Sequence, residues 1–297
     1  MTDLLSYAVI GLGSMGYGMA RSLLRAGHDV VGVDINAKAV ADFQSEGGSR
    51  AALDDAVPML DGVVVVVLNA GQAEAVLFGA EGIAPKLRPG AVIVNCPTIP
   101  PAAAQALEAK AQAMGLHYLD APISGGAAKS ARGALSIMAS GAPEAFAAAQ
   151  PILDATAETV FHLGDHAGPG SAMKAVNQLL AGVHIAAMAE AMTFGVTQGV
   201  TPQQFLDVIP QCAGSSWMLE NRAPHIVDGD YTPKSAVAIW PKDLGIVSDI
   251  AEAAGHPTPL TQAALAQFKA AMDAGLAGED DAAVAKVYAK ATGVKLP

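Results

Sequence analysis

The chain has 297 residues, enough for one large domain or two ordinary ones with a buried core, so it needs no disulfide scaffold. Its formal net charge is −11, with 17 Lys and Arg residues against 28 Asp and Glu residues. Contact with a phosphate backbone requires a basic surplus, so we expect no nucleic-acid partner.

The first half of the chain alternates short β-branched runs with alanine-rich helical patterns. This alternation predicts βαβ units on a mainly parallel sheet, and therefore an α/β fold. The predicted strands cover residues 7–10, 29–33, 62–68, 91–95, 117–120, 135–140 and 159–163. Predicted helices between them include residues 15–26, 37–45 and 101–114.

The pattern changes near Gly168-Pro169-Gly170. Beyond it the sequence shows long helical patterns without a strand pattern, starting with residues 171–198. We therefore predict two domains, an α/β domain over residues 1–166 and an all-helical domain over residues 167–297.

A glycine-rich turn follows the first predicted strand. It reads Gly11-Leu12-Gly13-Ser14-Met15-Gly16, a GxGxxG motif that leads directly into a helix. In such a motif the first glycine permits the tight turn, the second lets the backbone approach a pyrophosphate, and the third allows close helix–sheet packing. Because the motif lies between a strand and a helix, we interpret these six residues as the dinucleotide-binding loop of a Rossmann domain.

An acidic residue, Asp34, ends the second predicted strand about 20 residues beyond this loop. Its carboxylate can accept hydrogen bonds from ribose hydroxyls and would repel a 2′-phosphate. The following Ile35-Asn36 offers no arginine to reverse that preference. The sequence therefore predicts NAD, rather than NADP, as the cofactor.

Three further motifs follow in order along the chain. They are Asp120-Ala121-Pro122-Ile123-Ser124-Gly125-Gly126, then Gly170-Ser171-Ala172-Met173-Lys174-Ala175-Val176-Asn177, then Lys242-Asp243-Leu244. Together with the glycine loop, this ordered set resembles the signature motifs of the β-hydroxyacid dehydrogenase superfamily. The resemblance implies a Rossmann domain joined by a long helix to a helical domain, with a small hydroxy acid held between them.

Lys174 is the predicted acid/base residue. A desolvated lysine has a lowered pKa and can take the proton of an alcohol while hydride leaves for the nicotinamide. Asn177 lies three residues further on the same helical face and is predicted to orient the substrate. Gln178 is predicted to line the same site, although the superfamily usually has a second asparagine there.

The resemblance implies roles for three other segments. Ser124-Gly125-Gly126 offers a hydroxyl and unhindered N–H groups for the substrate carboxylate. Thr98 is expected to contact the nicotinamide, although Asn95 stands where the superfamily often has aspartate. Lys242 is predicted to bind NAD, with a salt bridge to Asp243 as the competing interpretation.

Three segments narrow the choice of substrate. They are residues 177–186, 214–218 and 230–237, which resemble the corresponding segments of the L-threonate dehydrogenases within the superfamily. We therefore expect oxidation of L-threonate at C2, with Ser215, Ser216 and Asn221 as candidate partners of its other hydroxyls. The alternatives are 3-hydroxyisobutyrate and the glycerate/tartronate semialdehyde pair. A more distant alternative is an NAD-binding interaction module without catalysis.

Several expectations concern the environment of the chain. Cys96 and Cys212 are far apart and are expected to be reduced, buried thiols in a cytoplasmic protein. Residues 62–68 are too short to cross a bilayer and residues 179–196 are interrupted by polar side chains, so we expect no membrane span. No metal-ligand spacing is evident. A homodimer or homotetramer is expected.

Overall fold

A computed structural model describes residues 4–297. The predicted α/β architecture is confirmed: a parallel five-stranded sheet with helices precedes a helical segment. The strands are β1 (Ser6–Ile10), β2 (Asp29–Val33), β3 (Gly62–Val65), β4 (Val92–Asn95), β5 (His117–Asp120), β6 (Ile123–Ser124), β7 (Leu135–Ala139) and β8 (Ala157–His162).

Within residues 4–297, thirteen α-helices follow or separate these strands. They are α1 (Gly16–Arg25), α2 (Ala37–Ser45), α3 (Leu53–Ala56), α4 (Ala70–Phe78), α5 (Pro101–Ala113), α6 (Gly126–Arg132), α7 (Pro143–Thr156), α8 (Pro169–Thr197), α9 (Pro202–Val208), α10 (Trp217–Asp228), α11 (Ile239–Ala253), α12 (Pro259–Asp273) and α13 (Ala285–Thr292). Short 3₁₀ turns occur at Val57–Met59, Ala84–Lys86, Ile209–Gln211 and Asp281–Val284.

The main sheet has the strand order β2-β1-β3-β4-β5, and each neighbouring pair is parallel. The chain moves outward from β1 to β2 and then returns to the other side of β1 at β3. Ligands of open α/β sheets bind at such a reversal, outside the carboxyl ends of the strands. The topology therefore places the glycine loop, which follows β1, at the expected binding edge.

The third strand is shorter than the sequence pattern suggests. The prediction of a strand over residues 62–68 is wrong beyond Val65, where the chain leaves the sheet. Val63, Val64 and Val65 are fully buried, whereas Leu68 is largely exposed. A continuous apolar run indicates burial on both faces, but it does not mark where the hydrogen-bonded ladder stops.

The last three strands form a separate small sheet in the order β6-β7-β8. Strand β6 has only two residues and pairs antiparallel with β7, which pairs in parallel with β8. The sequence analysis missed β6, because two residues are too few to show an alternating pattern. An isolated bridge between Asp120 and Ser140 joins the ends of β5 and β7.

Contacts divide the chain into two compact units, with the first ending at Lys174 and the second beginning at Ala175. The first has apolar cores around the sheet. The second has its own core of helical side chains, and no strand occurs after Gly168 within residues 4–297. Helix α8 is long and apolar enough to cross a membrane by length and composition alone, a test that core helices of soluble proteins also pass.

The two cysteines differ in exposure. Both are free; Cys96 is buried after β4, as predicted, but Cys212 is exposed. The prediction of a buried thiol is therefore wrong for Cys212. It lies in the polar loop before α10, which carries too few apolar side chains to cover it.

Candidate active site

The glycine loop joins β1 to α1 in a very confined space. Gly11 has a φ of 98°, and a Cβ there would lie 2.3 Å from the carbonyl oxygen of Val66. A Cβ at Gly16 would lie 1.8 Å from the carbonyl oxygen of Gly11. A Cβ at Gly13 would meet nothing within 4 Å. The fold itself therefore requires Gly11 and Gly16, whereas Gly13 leaves open space beside the loop.

The residues of the glycine loop differ in their exposure to solvent. Leu12 is buried in the core, Met15 is half-buried, and Ser14 is exposed with Gly13. The exposed pair lies immediately before the start of α1, where backbone N–H groups and the helix dipole favour a negatively charged group. The loop therefore fits the pyrophosphate of a dinucleotide.

Asp34 is attached to this loop. Its Oδ2 accepts a hydrogen bond from the Leu12 N–H at 2.6 Å, and its Oδ1 accepts from the Asn36 N–H at 2.7 Å. The carboxylate thus lies next to the dinucleotide loop while remaining partly exposed. Lys38 Nζ lies 2.5 Å from Asp42 Oδ2 within α2, so the ammonium group of Lys38 forms an ion pair on its own helix.

A buried carboxylate, Asp120, holds the start of α8. Its Oδ2 accepts from the N–H groups of Gly168 at 3.0 Å and Ser171 at 2.9 Å, and its Oδ1 accepts from Ser171 Oγ at 2.7 Å. Ser140 Oγ donates to it at 3.3 Å. Burial raises the pKa of the Asp120 carboxyl, and hydrogen bonds, first from Ser171, offset part of that rise.

Lys174 lies one turn further along α8 and is buried, with 8% of its surface exposed. Its Nζ donates to the Ile123 carbonyl oxygen at 2.8 Å. Ile123 directly precedes Ser124, so the lysine lies beside the turn of Ser124, Gly125 and Gly126. Within the first unit, the structure therefore brings together the acid/base candidate and the carboxylate-binding candidate.

The turn itself has an unusual backbone. Gly125 has a φ of 132° and Gly126 a φ of 71°, and α6 begins at Gly126. A side chain is strained in this region of φ, so the turn favours glycine at both positions. Ser124 is half-buried at the end of β6. A Cβ at Gly125 would lie 2.9 Å from the side chain of Lys129, whereas a Cβ at Gly126 would meet nothing within 4 Å, so the open side of the turn is at Gly126.

The second unit brings together Asn177, Gln178, Lys242 and Asp243. Asn177 Nδ2 donates to Gln178 Oε1 at 3.0 Å, and Gln178 Nε2 donates to Asp243 Oδ2 at 2.5 Å. Lys242 Nζ lies 2.7 Å from Asp243 Oδ1, the salt bridge that the sequence offered as the competing interpretation. Gln178 and Asp243 are buried, whereas Asn177 is half-buried.

Thr98 lies half-buried in the segment between β4 and α5, beyond the carboxyl end of β4. The end of that strand is polar: Asn95 is fully buried, and it is the register partner of Asp120 on β5. The position of Thr98 at this sheet edge suits contact with a ligand of the glycine loop.

The polar loop before α10 makes local contacts. Ser216 caps α10 by accepting from the Leu219 N–H at 3.1 Å, and Ser215 Oγ donates to Glu220 at 2.7 Å. Asn221 Oδ1 accepts from Arg222. All three candidates for the substrate's additional hydroxyls therefore have roles in holding their own helix.

Sequence reasoning missed the hydrogen bonds that Asp120 makes at the start of α8 and the bond between Asp243 and Gln178. Both acids stand inside the quoted motifs, and a buried acid must be hydrogen-bonded or paired, which was the available signal. Their partners lie 51 and 65 residues away, and no spacing rule predicts such distances. No group of three or more His, Cys, Asp and Glu residues suited to a metal ion occurs in the described part of the chain.

Comparisons with known proteins cover both units. Residues 6–164 match the NAD binding domain of 6-phosphogluconate dehydrogenase, and residues 168–288 match the NAD-binding domain of NADP-dependent 3-hydroxyisobutyrate dehydrogenase. An L-threonate dehydrogenase of Cupriavidus necator is 49% identical over 97% of each chain. A 3-hydroxyisobutyrate dehydrogenase of Pseudomonas aeruginosa is 36% identical, covering 97% of this chain and 99% of that protein.

A solved crystal structure of a related protein is also similar to this chain. The crystal structure of a 3-hydroxyisobutyrate dehydrogenase from Salmonella typhimurium aligns with a TM-score of 0.90 and 46% identity, covering 95% of this chain and 99% of that one. The glycine loop, the buried lysine and the full-length matches thus agree. The chain belongs to the family of NAD-dependent β-hydroxyacid dehydrogenases related to 3-hydroxyisobutyrate dehydrogenase.

Proposed function

We propose that the chain oxidises L-threonate at C2, using NAD. The observation that carries this proposal is the buried Lys174, whose Nζ lies at Ile123 beside the Ser124–Gly126 turn. Relatives that are 46–49% identical over 97–98% of the chain are named L-threonate dehydrogenase, which supports this substrate over other hydroxy acids.

The proposed chemistry assigns one task to each group. The N–H groups and hydroxyl of the Ser124–Gly126 turn bind the substrate carboxylate. Lys174, as the neutral amine, takes the proton of the C2 hydroxyl while the hydrogen on C2 leaves with its electron pair and the C–O bond becomes a carbonyl. Bound NAD supplies the hydride acceptor. In the reverse direction the Lys174 ammonium returns the proton to the carbonyl oxygen.

Cofactor selection is assigned to the glycine loop and Asp34, with Thr98 and Lys242 at the nicotinamide end. The Asp34 carboxylate, held beside the loop, accepts from free ribose hydroxyls and repels a 2′-phosphate. We therefore propose NAD as the preferred cofactor. We also propose a homodimer or homotetramer located in the cytoplasm.

A second candidate substrate is 3-hydroxyisobutyrate, favoured by the name of the Salmonella typhimurium structure. The glycerate/tartronate semialdehyde pair remains a third. A non-catalytic NAD-binding module would need neither a buried lysine at position 174 nor a carboxylate-binding turn beside it. Those two features support an enzyme.

The test is a substrate panel with purified protein. We expect the highest kcat/KM for L-threonate among L-threonate, D-threonate, D-erythronate, D-glycerate and 3-hydroxyisobutyrate, and a higher kcat/KM with NAD than with NADP. Asp34→Asn, which retains an acceptor for the Leu12 N–H, should narrow the difference between cofactors. A preference for 3-hydroxyisobutyrate would contradict the substrate, and NAD binding without turnover of any acid would contradict the enzyme.

A further inference from the structure

Helix α8 begins in close contact with the backbone of two strands. A Cβ at Gly170, the second residue of α8, would lie 2.5 Å from the carbonyl oxygen of Met138 and 2.8 Å from that of Asp120. Met138 belongs to β7, and Asp120 ends β5. Ordinary contacts of a Cβ are 3.4–4 Å long. The helix therefore approaches both strands more closely than any residue except glycine permits.

Side chains at the ends of these strands also hold the first turn of α8. The Gly170 N–H donates to Ser140 Oγ at 2.9 Å, and the Ser171 N–H donates to Asp120 Oδ2 at 2.9 Å. Ser171 Oγ donates to Asp120 Oδ1 at 2.7 Å. Asp120, Ser140 and Ser171 are all buried, where a polar group needs a partner. We call Asp120, Met138 and Ser140 the α8 seat.

The strand segment of the seat contacts α8 a second time, at Lys174. Lys174 follows Ser171 by three residues, so the two residues lie on the same side of the helix. Ile123 follows Asp120 by three residues, and its carbonyl oxygen accepts from Lys174 Nζ at 2.8 Å. Residues 120–123 therefore bind α8 at its first turn and again one turn further on. All of these residues belong to the first unit.

We infer that the α8 seat positions Lys174 for proton transfer, with Asp120 and Ser140 acting as positioning residues through the first turn of the helix. This inference rests on the proposed function. A lysine has a flexible four-carbon stem, so the location of its Cα limits where its Nζ can be. Because an α-helix advances 1.5 Å per residue, Lys174 lies only about 5 Å along the axis from the fastened residues. A shift of the first turn therefore reaches Lys174 almost undiminished.

The first test is Gly170→Ala, which adds one carbon at the seat. The 2.5 Å approach to Met138 must open to at least 3.4 Å, so the first turn has to move by about 1 Å. A displacement of about 1 Å can cost about 10²-fold in rate, and we expect kcat for L-threonate to fall by that factor. The Kd for NAD should remain nearly unchanged, because the glycine loop and Asp34 are intact. Turnover is expressed per NAD-binding site, so that unfolded protein is not counted.

The second test is Ser140→Ala, which adds no atom and removes the acceptor of the Gly170 N–H. The loss of about one hydrogen bond corresponds to about a fivefold change in the population of the seated helix, so kcat per NAD-binding site should fall about fivefold. Should Gly170→Ala fail to fold, Ser140→Ala decides alone.

The matched control is Gly62→Ala. A Cβ at Gly62 would lie 2.8 Å from the carbonyl oxygen of Val92, so this variant also presses a methyl group against the backbone of a neighbouring strand. Gly62 begins β3 and therefore lies at the opposite end of the sheet from the glycine loop. We expect Gly62→Ala to lower the Tm and to retain the kcat per NAD-binding site of the wild type.

A structural role alone would lower the Tm of all three variants and leave kcat per NAD-binding site at the wild-type value, which would overturn the inference. Wild-type protein that turns over no hydroxy acid would contradict the proposed function instead. The inference is then tested by a crystal structure of Gly170→Ala, in which we expect Lys174 Nζ beyond hydrogen-bond distance of the Ile123 carbonyl oxygen. An Nζ that is still bonded to Ile123 would overturn it.

Discussion

At the scale of single residues, Lys174 combines burial with a fixed partner. Its Nζ donates to a backbone carbonyl, which cannot exchange a proton with it, so the bond constrains the position of the amine without competing for its proton. This is the geometry that a proton-transfer group requires.

We expect Lys174→Ala to reduce kcat by about 10²- to 10⁴-fold, the usual scale for lost acid–base catalysis. The Kd for NAD should remain nearly unchanged, because the glycine loop and Asp34 are intact. Steady-state kinetics and a cofactor titration check the two parts separately. Near-normal turnover by a correctly folded variant would remove Lys174 from the mechanism.

At the scale of elements, we expect folding and NAD binding to depend on different glycines of the loop. Gly16→Ala should destabilise the protein, because its Cβ would lie 1.8 Å from the Gly11 carbonyl oxygen. Gly13→Ala should leave the melting temperature close to that of the wild type, since nothing within 4 Å opposes its Cβ, but weaken NAD binding. Thermal melts and NAD titrations distinguish the two variants. Equal loss of stability in both would contradict this division.

The start of α8 depends on Asp120. Asp120→Asn replaces one of two accepting oxygens with an NH₂ group, which faces either the N–H groups of Gly168 and Ser171 or the Ser171 hydroxyl that donates to Oδ1, and the loss of an acceptor should cost about 1–3 kcal/mol. Ser171→Ala, the control, loses the hydroxyl bond and keeps the backbone bond, so it should cost less. Denaturant titrations measure both, and an Asp120→Asn variant as stable as the wild type would contradict the assignment.

The difference in stability between the wild type and Asp120→Asn should change with pH in a defined direction. Because burial raises the pKa of Asp120, the folded chain binds a proton there more tightly than the unfolded chain does. Lowering the pH through that raised pKa should therefore increase the stability of the wild type relative to Asp120→Asn. A relative loss of stability over the same interval would contradict it.

The sequence predicted much of this arrangement and missed a definable part. The GxGxxG motif, Asp34 and the strand bounds 29–33 and 117–120 follow from local patterns, because turn chemistry and β-branched runs act over a few residues. The termination of β3 at Val65 and the two-residue β6 depend on pairing with distant strands. The partners of Asp120 and Asp243 likewise depend on contacts that only the folded chain creates.

At the scale of the whole molecule, the two thiols report on folding. Burial raises the pKa of the Cys96 thiol well above its usual range, whereas Cys212 is exposed. A thiol reagent should modify one cysteine rapidly in the native protein and the second only when the first unit opens. The Cys212→Ser variant should show no rapid reaction. Two rapid equivalents in the wild type would contradict the burial of Cys96.

The bond between Lys174 and Ile123 also bears on handedness. With the amine at one point and the proposed carboxylate-binding turn beside it, the direction of the departing hydrogen would define a third point, and three points distinguish a molecule from its mirror image. An acid of the opposite configuration at C2 would present its hydrogen to the lysine and its hydroxyl to the nicotinamide. We therefore expect the enantiomer at C2 to bind without reacting, as a competitive inhibitor.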